Sequence, residues 1–208
     1  MLRPIAYWQN FPKTGDVSTV WGGGNPILWW GALTAITITA VKALERPSLA
    51  RAFLVIGYLS YIVIWIWIGR TLFLYHYMGS VYLAYIALAA VLAECFYERA
   101  EPWEHLALLL TMAPAFVLGL GTFFVGFGPP FAGWGALVGV ILFLAILAGY
   151  AYALTRTEYA GRFVVGVFVG AALITFVYFF PVWVGFPISH EGYYMRMWLN
   201  DSGLRSWI

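Results

Sequence analysis

The chain reads as an all-α protein, a polytopic membrane helix bundle of about six transmembrane helices with an amphipathic C-terminal segment. Three observations predict this. Of its 208 residues, 63% are hydrophobic and 10% are charged, whereas soluble domains carry roughly 25% charged residues and need polar groups to cover their surface. The mean hydropathy is +0.84. The apolar residues fall in six continuous runs, about 26–44, 52–68, 80–97, 106–127, 136–154 and 163–180, each near the ~20 residues that cross a bilayer. Runs this long and unbroken exclude a β-barrel, whose strands are shorter and alternate.

Taken in order, residues 1–25 form an N-terminal segment ahead of the bundle, 26–180 the bundle itself, and 181–208 an amphipathic tail. The start, MLRPIAYWQN, has no apolar run behind Arg3 and so does not read as a cleavable signal peptide. The first run ends at Lys42, whose long side chain can snorkel to the interface. The connectors 45–51 (ERPSLAR) and 155–162 (TRTEYAGR) are basic, 98–105 (ERAEPWEH) is acidic, and 128–135 (GPPFAGWG) carries no charge. One side of the membrane then holds Arg3, Lys13, Arg70, Arg196 and Arg205, and the other Lys42, Arg46, Arg51, Arg99, Arg156 and Arg162. The second set lies in the shorter loops, where positive residues mark the cytoplasmic face, so both termini are placed outside the cytoplasm. Pro114 is expected to bend the fourth span. Gly135-x-x-x-Gly139 and Gly166-x-x-x-Gly170 either let helices approach closely or reflect the general abundance of glycine in membrane helices. Trp29, Trp30, Trp65, Trp67, Tyr75, Tyr77, Trp183 and Trp198 read as an interfacial aromatic belt.

A formal charge of +2 offers no basic field for nucleic acid. The single cysteine, Cys95, excludes an internal disulfide framework, a cysteine zinc site and a CxxCH haem attachment. Walker A, GxSxG, HExxH and GxGxxG patterns are absent, and the three histidines share no helical spacing that suits a metal. No cofactor is implied.

Two stretches hold side chains able to do chemistry. In IGRTLFLYHYMGS, Arg70 follows an apolar run and His76 comes six residues later. Arginine grips a phosphate bidentately and histidine bonds a sugar or phosphate oxygen; the plainer reading has Arg70 snorkelling to headgroups and His76 at the interface. The tail carries His190, Glu191, Arg196, Asp201 and Arg205 among aromatics. It reads as an interfacial helix anchored by Trp198 and Trp207; Glu191 or Asp201 could act as a base, yet neither is spaced to meet an acid. Glu94 is expected to face the interface or a neighbouring helix. Glu104 and His105 read as solvated loop residues. A histidine such as His76 or His105 ligating a chlorin or haem, in a pigment protein or small transporter, is a further class, though a lone histidine is more often structural.

Four stretches in order, RPIAYW at 3–8, GNPILWW at 24–30, RTLFLYHY at 70–77 and YFFPVWVGFPIS at 178–189, resemble the bacterial protein O-mannosyltransferases, and RMWL at 196–199 with SWI at 206–208 resembles that family's ending. The resemblance covers residues 3–97 and 163–208 and corresponds to the family's C-terminal membrane module. It implies an inverting transfer of mannose from a polyprenyl-phosphate carrier to Ser/Thr of exported proteins, with catalytic acids in an N-terminal extracytoplasmic loop that has no counterpart here. It also places Arg70, His76 and Tyr77 near the lipid-phosphate donor, as substrate-binding candidates. The expectation is a non-catalytic subunit of a larger membrane complex in a bacterial plasma membrane, with other membrane subunits as partners. The alternative is the donor-binding half of a split transferase, with a polyprenyl-phosphate sugar as ligand.

Overall fold

The computed structural model describes residues 6–10, 12–22, 24–66, 74–125, 129–156 and 159–196. It is an all-α membrane bundle with one small strand pair. The elements are β1 (Ala6–Asn10), β2 (Ser18–Trp21), α1 (Pro26–Glu45), α2 (Leu49–Ile66), α3 (Leu74–Phe96), α4 (Pro102–Val125), α5 (Pro129–Leu154), α6 (Ala160–Val184) and α7 (His190–Met195). Five helical stretches are long and apolar enough to cross a membrane: Pro26–Glu45, Met78–Phe96, Pro102–Thr122, Trp134–Leu154 and Ala160–Val184. The remaining expected span falls on α2, a shorter apolar helix.

Helix ends follow local chemistry. Pro26 occupies the first position of α1, where its missing N–H costs nothing, and Asn25 before it caps the helix by accepting the Ile27 N–H at 2.9 Å. Pro102 starts α4 in the same way, with Glu104 two residues on accepting the Glu101 N–H at 3.2 Å. The fourth span therefore begins four residues before the apolar run that announced it. Pro114 and Pro181 both lie inside helices that continue through them.

The chain divides into two compact units. The first gathers the described residues of 1–27, 112–152 and 167–208. Here β1 and β2 pair antiparallel, with an irregularity between Ala6 and Trp8, a strand pair that the composition of the N-terminal segment did not announce. The chain leaving α6 turns at Gly185, whose φ of +77° suits glycine, and Ile188 then pairs with Val17 through backbone bonds of 2.7 and 2.9 Å. Val17, Trp21, Phe179, Val182 and Tyr193 close a small core, with the Trp21 and Tyr193 rings edge to face at 5.8 Å. Gly139 lets α5 approach α4 so closely that a Cβ there would meet the Phe116 carbonyl.

The second unit gathers the described residues of 28–111 and 153–166. In it α2 packs along α3, and Thr34 bonds Thr111 at 2.6 Å between α1 and α4. At Gly166-x-x-x-Gly170 the second of the two readings fits the described chain, because a Cβ at either glycine would meet nothing within 4 Å.

Candidate functional site

Of the three residues singled out for donor contact, Arg70 lies outside the described residues. His76 and Tyr77 fall in the first turn of α3, with only their backbone described. The structure thus neither assembles nor separates that trio. Asp201, Arg205, Trp198 and Trp207 also lie outside the described residues, while Glu191 sits exposed in the first turn of α7.

What the structure does assemble is a charged cluster in the second unit. Lys42, near the end of α1, donates to Glu94 near the end of α3, and to Glu104 in the first turn of α4 at 2.9 Å. Arg51 from α2 approaches the other oxygen of Glu94 at 3.6 Å. Two cations thus meet two carboxylates, and four helix ends are tied together. The Glu104 side chain is 1% exposed and that of Lys42 12%, so this pair has left water. A buried pair of this kind is costly to break from one side, since the remaining charge loses its partner.

Glu104 and His105 are therefore corrected. Both are buried, at 0% and 3% exposure, rather than solvated, because 102–105 is the opening turn of α4 and not loop. The capping spacing from Glu101 to Glu104 was the available signal. Lys42 likewise finds carboxylates within the protein instead of reaching for headgroups. Glu94 does face helix neighbours, as expected. Cys95 beside it is free and buried.

A second tie lies close in the sequence. Glu98, held at a left-handed φ of +53°, accepts the backbone N–H of Gly161 at 2.9 Å and of Arg162 at 3.1 Å. These are donors left open at the start of α6, so a carboxylate from the α3–α4 connection caps α6 with favourable helix-dipole sign. The arrangement needs Gly161, since a Cβ there would overlap the Cys95 carbonyl.

In the first unit the tail is clamped to α6. Arg196 donates to the Tyr178 carbonyl at 2.6 Å and to that of Gly192 at 2.5 Å, and its guanidinium lies 4.7 Å from the Tyr178 ring centroid. The Tyr178 hydroxyl returns a bond to the Met195 carbonyl at 2.6 Å. Burial draws the Arg196 pKa below its ordinary value, offset in part by Tyr178. Burial and then the nearby Tyr194 push the Tyr193 hydroxyl above its ordinary value. Asn25 links α1 to α6, donating to the Ala172 carbonyl at 2.7 Å and accepting from Thr175 at 3.1 Å. Asn25 and Pro26 of GNPILWW, and Tyr178 of YFFPVWVGFPIS, thus carry structural contacts. Beside them opens an apolar cleft of about 360 Å³ lined by Ile27, Phe116, Leu142, Ile174, Thr175 and Tyr178, among others.

Among the described residues, no group of three or more His, Cys, Asp or Glu is arranged to hold a metal ion. No family model, curated protein or solved structure matches the chain.

Proposed function

We propose that the chain is a non-catalytic integral membrane subunit, related to the C-terminal module of bacterial protein O-mannosyltransferases, that serves as an accessory component of a larger complex in a bacterial plasma membrane. The observation that carries this reading is where its charges and its apolar surface lie. Lys42, Arg51, Glu94, Glu98 and Glu104 engage one another or a helix end. The helix flanks meanwhile present large apolar side chains outward: Ile56 on α2, Ile141 and Leu144 on α5, and Ile174 and Val177 on α6 are each more than half exposed. Such flanks suit lipid and neighbouring membrane subunits, where packing and close helix approach drive association. The open Gly166 and Gly170 positions fit the same use.

Native mass spectrometry of the particle extracted gently from its own membrane, with peptide identification, is the test. Stoichiometric membrane partners are expected. Mannosyl transfer by the purified chain alone would overturn the reading.

One observation favours a second reading, the donor-binding half of a split transferase. The apolar cleft in the first unit has the character of a hydrocarbon-chain site. In that reading Arg70 grips the lipid phosphate while His76 and Tyr77 orient it. Arg70→Ala should then weaken polyprenyl-phosphate mannose binding at least tenfold, because alanine removes the whole bidentate grip; unchanged affinity in that variant removes the reading.

A further inference from the structure

We propose that the face formed by the α1–α2, α3–α4 and α5–α6 connections binds the phosphodiester headgroups of anionic phospholipids. These three connections are brought together inside the second unit. Arg46 approaches Glu101 at 3.6 Å, the Lys42 and Arg51 contacts with Glu94 join the first two, and Glu98 reaches the start of α6 to join the third. Their charges are sorted by direction. Glu94 and Glu104 turn toward Lys42 and Arg51 and neutralise them, while Glu98 is engaged by backbone N–H groups.

The guanidiniums of Arg99, Arg156 and Arg162 are left facing outward. All three residues are exposed, and none forms an ion pair among the described residues. Exposed carboxylates on the same face are those of Glu45 and Glu101, the latter shared with Arg46, which is also exposed. The described outer layer of this face is therefore net positive, with four arginines against two glutamates.

Aromatic side chains stand beside two of the free arginines. Arg99 lies 5.8 Å from the Tyr97 ring centroid and Arg162 5.6 Å from that of Phe96, and Tyr97, Tyr159 and Phe96 are themselves about half exposed or more. Ring stacking holds a guanidinium flat while its donor edge stays free, and a planar fork of donors suits a phosphodiester. These residues sit at the ends of apolar helices, at the depth where aromatic rings and lipid headgroups meet. An arginine set there, next to an anionic leaflet, gains attraction that a zwitterionic leaflet does not supply. The partner is thus a lipid surface with anionic headgroups, and the shared phosphate chemistry alone is not enough, since phosphatidylcholine carries it too.

The experiment offers the delipidated protein an equimolar mixture of phosphatidylglycerol and phosphatidylcholine with identical acyl chains, and counts retained lipids by native mass spectrometry. Phosphatidylglycerol is expected in about tenfold excess, the order supplied by a few guanidiniums at an anionic interface. The excess should fall toward parity in R99Q/R156Q/R162Q, which keeps the backbone bond from Arg162 to Glu98. It should also shrink as salt is raised on the unaltered protein. Should the triple variant fold poorly, Arg156→Gln serves alone, because the exposed Arg156 side chain forms no ion pair among the described residues and its loss should lower the excess severalfold. Equal retention of the two lipids by the parent, or an excess indifferent to both salt and these substitutions, overturns the proposal. An acidic protein as the occupant would leave the lipids at parity and so counts against it as well.

Discussion

Glu104 shows how one side chain can serve two structural ends at once. One oxygen closes the first turn of α4 on the Glu101 N–H, and the carboxylate also receives Lys42 from α1. Removing the lysine leaves a carboxylate at 1% exposure without its cation, a change that costs about 3–5 kcal/mol where a buried pair is broken from one side. Lys42→Met should therefore lower the thermal unfolding temperature in detergent markedly. Adding Glu104→Gln should recover much of the loss, since glutamine keeps an oxygen for the Glu101 N–H but brings no charge. A double variant as unstable as the single one would show that the ion pair is not what α1 and α4 share. Half of this arrangement is written in the sequence, where Glu101-Pro102-Trp103-Glu104 has the spacing of a helix start. The other half is not, because Lys42 and Glu104 are 62 residues apart and nothing in a single chain couples them. The donor trio Arg70, His76 and Tyr77 has the opposite standing: legible as a motif, it falls where the described structure gives no side-chain geometry.

At the scale of elements, continuous apolar runs marked the bundle because a membrane helix must be apolar along its whole length. Periodicity adds little here, since α5 and α6 are apolar on all sides. The runs could not mark the hairpin β1–β2 or its pairing with Ile188. Those strands are short, and their partner is a segment more than 160 residues away in the chain. Their docking rests on Tyr193, buried at 2% exposure against Trp21. Because burial raises the Tyr193 pKa above its ordinary value of 10.0, the folded state holds the phenol proton more tightly than the unfolded chain. The stability this contributes is present below the ordinary tyrosine pKa and is lost as pH rises through the higher folded value. Thermal unfolding followed against pH should therefore fall more steeply above pH ~10 in the parent than in Tyr193→Phe, which has no proton to lose. Parallel pH profiles for the two proteins would place the alkaline transition in a group other than Tyr193.

For the whole molecule, the ion cluster bears directly on the path of the chain through the membrane. Lys42 sits near the C-terminal end of α1 and Glu94 near the C-terminal end of α3, yet the two side chains meet. Both helices are long enough to cross, so with these ends together they run in the same direction. The chain must return between them, and α2, packed along α3, is the described helix that lies between. Its 18 residues give about 27 Å at 1.5 Å per residue, slightly under the ~30 Å hydrocarbon core, a mismatch that local thinning or snorkelling absorbs. If α2 crosses, five crossings separate the β1–β2 loop from the α5–α6 connection, and the two are expected on opposite sides of the membrane. If α2 does not cross, four crossings separate them and they share a side. The lone natural thiol, Cys95, is fully buried, so introduced cysteines can be read against a quiet background. Thr14→Cys and Thr155→Cys, both at exposed positions, should differ in their reaction with a membrane-impermeant maleimide on intact cells. The first is expected to label at once, and the second only after permeabilisation, as the positive-inside rule predicts for the short basic connections. Labelling of both from outside would remove α2 from the set of spans. Labelling of Thr155→Cys alone would keep the six crossings and invert them, turning the arginine face outward.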